Sequence, residues 1–90
     1  MSDTVSLMHE RLAALSPSLV EIDDESARHA GHAGARDGGH YRLTIVSVAF
    51  ETLGRVARHR LVYDSLGDMM QGRIHALAIS AHTPDESTPR

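Results

Sequence analysis

Apolar residues recur along this chain with two different periods, and the order of those periods lays out an α+β domain. Val5, Met8, Leu12 and Leu15 are spaced three, four and three apart, which places them on one face of a helix that begins near Asp3 or Thr4 and stops at Ser16-Pro17. Leu19-Val20-Glu21-Ile22-Asp23 then alternates apolar with acidic residues, the pattern of a short, half-exposed strand near an edge. His40 to Val48, HYRLTIVSV, is rich in β-branched and aromatic residues and reads as the strongest strand. From Thr52 to Met70, Leu53, Val56, Leu61, Val62, Leu66, Met69 and Met70 keep a helical spacing. Gly67 divides this stretch into a long helix and a short one, and Gly72 ends the second. Ile74 to His82 alternates again as a third strand, up to Pro84.

The predicted order is helix, strand, strand, helix, helix, strand. Its natural packing is a two-layer sandwich: a three-stranded sheet whose first two strands form an antiparallel hairpin, with the helices collected on one face. Tyr63, Leu66, Met69 and Met70 are expected in the core. Between the first two strands, residues 24–39 (DESARHAGHAGARDGG) show no apolar period and read as a long loop. Such loops are commonly functional or disordered. Residues 1–84 form the domain, and the polar tail 85–90 is expected to fray.

Composition narrows the chemistry. A chain of 90 residues supports one modest core, in which a ligand cavity of the usual size, upwards of roughly 300 Å³, is hard to carve. Function is therefore expected on the surface. With no cysteine, the chain can form neither a disulfide nor a thiolate metal site alone, so any metal ligand must be His, Asp or Glu. Seven histidines are many for this length, and imidazole is the commonest metal ligand. The net charge of −3 opposes non-specific attraction to nucleic acid. The amino-terminal MSDTVSLMHERLAALS fits neither a secretory signal nor a membrane span, and a cytoplasmic location is expected. No cysteine nucleophile, serine motif or paired-carboxylate site is evident, and Asp23, Asp24 and Glu25, being consecutive, cannot all face one pocket. No enzymatic activity is expected.

Several ordered blocks make the chain resemble the BolA-like proteins, from Leu12 to about Pro84. They are Asp24-Glu25-Ser26 with His29 three residues on, His40-Tyr41, Val46-Ser47, Phe50, Arg58-His59-Arg60 followed by Val62-Tyr63, and Ile74-His75-Ala76-Leu77 ending in Thr83-Pro84. None is specific singly; their joint order and spacing carry the resemblance. It implies a type II KH-like fold, in agreement with the predicted order. It also implies a partnership with a monothiol glutaredoxin in which a [2Fe-2S] cluster is shared among a glutaredoxin cysteine, a glutathione thiol and two histidines, matched here by His29 and His75. The chain would be a monomer alone and a heterodimer with its partner.

His29 lies among small residues that let a loop reach a metal, and His32 could substitute for it; either would otherwise be a solvated loop histidine. His75 opens a strand and is held more rigidly, though such a histidine can simply satisfy a nearby carbonyl. His40 is a reserve candidate that would otherwise only pack. Two imidazoles opposite two thiolates give a Rieske-like arrangement, and since this chain has no cysteine, cluster binding should require the partner. Arg58, His59 and Arg60 form a candidate basic patch for a phosphate, a carboxylate or a partner's acidic surface, or else a solvated helix face. The competing reading is a KH-like DNA-binding transcriptional regulator of stress response and cell morphology. KH domains grip a strand with a GXXG loop between helices, whereas the break here reads LGDMMQG, and Gly31-His32-Ala33-Gly34 lies between strands. Only weak, salt-sensitive DNA binding is expected on that reading, and no membrane contact.

Overall fold

The computed structural model of the chain describes residues 3–26 and 39–87. The element order is α1 (Asp3–Leu12) with a 3-10 turn at Ala13–Leu15, β1 (Leu19–Asp24), β2 (Gly39–Val46), a 3-10 turn at Val48–Phe50, α2 (Arg55–Leu66), a 3-10 segment at Gly67–Gln71, β3 (Ile74–His82) and α3 (Pro84–Ser87). The strands form one sheet in the order β1-β2-β3, with β1 and β2 antiparallel and β2 and β3 parallel. The expected α+β fold is present, hairpin pairing included. Because β3 runs parallel to β2, the chain must cross back over the sheet between them, and α2 makes that crossing.

Residues Tyr41, Leu43 and Ile45 of β2 are buried, while Arg42 between them is exposed. One face of the sheet thus carries the core and the other faces solvent. Met8, Leu12 and Leu15 from α1 and its extension, Val62 and Leu66 from α2, and Phe50, Met69 and Ile74 complete the buried cluster. The apolar spacing of α1 therefore corresponds to its buried face. Gly39 opens β2 because the ring of Tyr41 lies over it, where a Cβ would collide. Gly67 has φ +58°, a conformation that suits glycine, and it ends α2. Arg11 of α1 reaches the same point, donating through Nη1 to the Leu66 carbonyl at 2.9 Å and to Asp68 at 3.1 Å.

Five expectations are corrected. β2 ends at Val46 rather than Val48, because the buried Ser47 hydroxyl accepts from the Ala49 N–H and donates to the Leu15 carbonyl, turning the chain toward Phe50. The long helix starts at Arg55 rather than Thr52, since Thr52 stands at φ 67°, outside helical geometry; the short helix after Gly67 is 3-10 rather than α. Tyr63, 40% exposed, is not core: it lies at the flank of the α2 face that buries Val62 and Leu66. Of the tail expected to fray, residues 85–87 belong to α3 (Pro84–Ser87), and residues 88–90 lie outside the described residues. At the start of α3, Glu86 N–H donates to Thr83 Oγ1 and Thr83 N–H donates to the Glu86 carboxylate, a reciprocal capping box with proline at the first helical position.

Candidate functional site

At the end of the sheet where β2 and β3 begin, the ladder carries an irregularity. Gly39 pairs with Ile74 and His40 with Ala76, so β3 has one residue, His75, with no counterpart in β2. Such a bulge re-aims a side chain. Ile74 points into the core, His75 and Ala76 are both exposed, and the His75 ring stands beside the His40 ring with centroids 5.1 Å apart and planes inclined by 48°.

The backbone around the pair is held on both sides. His40 N–H donates to Ser26 Oγ at 3.1 Å, and Glu25 N–H donates to the His40 carbonyl at 2.8 Å. Asp24 accepts from Ser26 N–H in a local turn, and Gly39 N–H donates to the Arg73 carbonyl. The Asp24-Glu25-Ser26 block therefore fixes the entry to β2, while Glu25 pairs with Arg42 at 3.4 Å. His29 and His32, together with the Gly31–Gly34 motif, lie outside the described residues. The described residues that flank this segment in sequence are Ser26 and Gly39, and Ser26 accepts from the His40 N–H.

Imidazole nitrogens are donors that borderline metals accept. Centroids 5.1 Å apart with tilted planes are those of two rings in ordinary contact. Two imidazoles do not complete a site. Among the described residues no group of three or more His, Cys, Asp or Glu side chains could hold a metal ion.

The basic triplet does not act as one patch. Arg58 is half-buried and committed: its Nε donates to the Leu53 carbonyl at 2.8 Å, Nη1 to the Ala81 carbonyl at 3.1 Å, and Nη1 and Nη2 to the two oxygens of Glu86 at 2.6 and 3.0 Å. This forked pair holds the Glu86 carboxyl at about 2, well below its usual value, through hydrogen bonds from Arg58 and then from the Thr83 N–H. Arg58 thereby ties α2, β3 and α3 together. His59 is half-buried on the side of α2 that faces β3, and Arg60 is exposed. The Arg58–Glu86 clamp was not foreseen from the sequence, although Thr83-Pro84-Asp85-Glu86 carries the capping-box signature that would have located α3. The His40–His75 pairing was missed as well; it follows from the bulge.

No helix among the described residues is long and apolar enough to cross a membrane. Residues 12–86 match the family model described as BolA-like protein. The chain is 47% identical over 78 residues to SufE-like protein 1, chloroplastic/mitochondrial, of Arabidopsis thaliana, spanning 80% of this chain and 21% of that one. To BolA-like protein 1 of Mus musculus it is 45% identical over 71 residues, 79% of this chain and 50% of the relative. The chain thus spans half or less of the length of these two relatives. Among solved structures, BolA1 from Arabidopsis thaliana superposes with a TM-score of 0.82 at 37% identity, covering 98% of this chain and all of that one. The BolA domain of SufE1 from Arabidopsis thaliana gives 0.83 at 41% identity, covering 96% and 98%. The α+β fold with its three-stranded mixed sheet, and the match along residues 12–86, together show that the chain belongs to the BolA-like protein family.

Proposed function

We propose that this chain is a non-enzymatic adaptor in iron-sulfur cluster assembly and trafficking, which binds a monothiol glutaredoxin and shares a [2Fe-2S] cluster with it through histidine ligands. The observation that carries this reading is the His40–His75 pair, two imidazoles brought together at the end of the sheet where β2 and β3 begin. In this reading His75 is the fixed ligand, aimed by the bulge, and the second ligand is drawn from His29, His40 or His32. A shared cluster would supply a redox-active, transferable iron-sulfur unit. The protein's own part is to present neutral imidazoles and, having no cysteine, to leave the thiolates to the glutaredoxin and glutathione. Retention should weaken as pH falls through the range where imidazoles protonate, because the proton and the metal compete for the same nitrogen.

The nucleic-acid reading has less support. Arg58, the centre of the basic triplet, is engaged with Glu86, and the net charge is −3.

The test is reconstitution of the chain with a monothiol glutaredoxin, glutathione, iron and sulfide, followed by the visible spectrum of the purified complex. A Rieske-like spectrum is expected for the unaltered chain and its loss for His75→Ala, with circular dichroism unchanged because His75 is exposed. Comparing His29→Ala, His32→Ala and His40→Ala identifies the second ligand. An unaltered spectrum in His75→Ala refutes the cluster assignment.

A further inference from the structure

β3 is the outer strand of the sheet, with β2 as its sole strand neighbour. Ser47 N–H donates to the His82 carbonyl, so the backbone of His82 faces β2. Backbone groups in a strand point alternately to either side, and those of Ala81, Ile79 and Leu77 therefore point to the open edge. Arg58 approaches from that side to take the Ala81 carbonyl. The edge is thus capped at its C-terminal end and open over Leu77 and Ile79.

Along this edge runs a groove of about 230 Å³ between α2 and β3, lined by Arg55 and His59 on one wall and Ile79, Ser80, Ala81 and His82 on the other. Arg55 is exposed, and neither its side chain nor that of His59 makes a hydrogen bond or ion pair among the described residues. Arg58, one turn along, already holds a carboxylate, that of Glu86, at the closed end of the same edge. An added strand would place alternate side chains over the groove, against Arg55 and His59.

We propose that the open edge of β3 binds an extended acidic segment of a partner protein by strand addition, its backbone pairing with Leu77 and Ile79 and its carboxylates meeting Arg55 and His59. Main-chain pairing supplies affinity in this mode and the flanking side chains supply selectivity. Charge argues against a second copy of this chain as the occupant. A second copy paired antiparallel about Ala78 would set Ile79–His82, and with them Arg55, against Ile74–Leu77 of its copy, a stretch that carries no carboxylate. A strand edge, with its alternating donors and acceptors, also matches a peptide better than a phosphodiester backbone. The groove is lined from Ile79 onward, four residues or about 13 Å along the strand from His75, whereas the paired backbone reaches Leu77, about 7 Å from it at about 3.3 Å per residue.

The experiment titrates the isotope-labelled protein with a peptide of about eight residues that alternates Glu with Val or Thr, and follows the backbone amides by NMR. Shifts confined to the Leu77–Ala81 edge and to Arg55 and His59 are expected. Arg55→Glu should weaken binding about tenfold without loss of fold, since an acidic residue suits the first turn of α2. A Lys-for-Glu peptide should bind Arg55→Glu better than it binds the unaltered protein. Ile79→Pro, which deletes an outward N–H at an edge position where proline is tolerated, should also weaken binding. The proposal is overturned by an absence of edge shifts, by equal affinity for the Lys and Glu peptides, by tighter binding of oligothymidylate at the same amides, or by a β3-mediated dimer in sedimentation.

Discussion

Replacing Ser47 with alanine isolates the residue that joins the end of β2 to the end of the first helical segment. Ser47 is 1% exposed; its hydroxyl donates to the Leu15 carbonyl and accepts from the Ala49 N–H. Alanine nearly conserves volume, so no sizeable cavity forms, and the cost is that of two polar groups losing a partner. A buried group left unsatisfied costs about 1–3 kcal/mol, and loss of a serine cap costs about 0.5–2 kcal/mol. The two overlap in the Ala49 contact, giving about 2–3 kcal/mol together. For a domain of this size each kcal/mol lowers Tm by about 4–8 °C, so Ser47→Ala should melt about 8–24 °C below the parent. Thermal and urea unfolding followed by circular dichroism measure this, with an unchanged m-value showing that native compactness is retained. Val48→Ala, at a neighbouring residue 59% exposed, is the control and should change stability by less than about 0.5 kcal/mol. The reasoning fails if Ser47→Ala melts within about 3 °C of the parent, or if Val48→Ala costs as much.

Two further outcomes follow from the clamp and from the α2 terminus. Glu86, held at about 2 against its ordinary 4.5, has a folded value below the unfolded one; its stabilising contribution is complete above about 4.5 and is lost as pH falls toward about 2. An NMR titration of its carboxyl should show this low midpoint, and Arg58→Ala should return it toward the ordinary value; a carboxyl titrating normally in the unaltered protein refutes the clamp. Gly67→Ala should destabilise by about 1–2 kcal/mol, because φ +58° disfavours a side chain and the added Cβ would lie 3.2 Å from Arg11 Nη1. Urea midpoints measure it, and a neutral substitution refutes the strain argument.

How much of the site could be read in advance differs by residue. His75 was identified as a rigid strand residue, and the structure places it as the second residue of β3. Its closeness to His40 was hidden, because the two are far apart in sequence and meet only through a one-residue slip in a parallel ladder. Simple alternation from Ile74 would have placed His75 and Ala76 on opposite faces. Arg58 was read as part of a solvated or partner-binding patch because a helical arginine usually is solvated; the acceptors that engage it, Ala81 and Glu86, lie 23 and 28 residues away. The Thr83–Glu86 cap, by contrast, is a local signal and was legible, though it stood in a stretch expected to fray.

The sequence by itself determined the elements and their order: the 3.6-residue period in α1, the alternation in β1 and β3 and the β-branched run of β2 are local properties set by which side chains one helix or strand can bury together. It determined as well that this chain supplies imidazoles and no thiolates. Only the tertiary structure decided that β3 lies parallel to β2, that a bulge brings His75 to His40, that Arg58 is engaged by Glu86, and that among the described residues the β3 edge stands open beside Arg55 and His59. Register, ion pairing and edge exposure depend on which distant segments share a surface, and that is decided by packing the whole core at once, not by any local period.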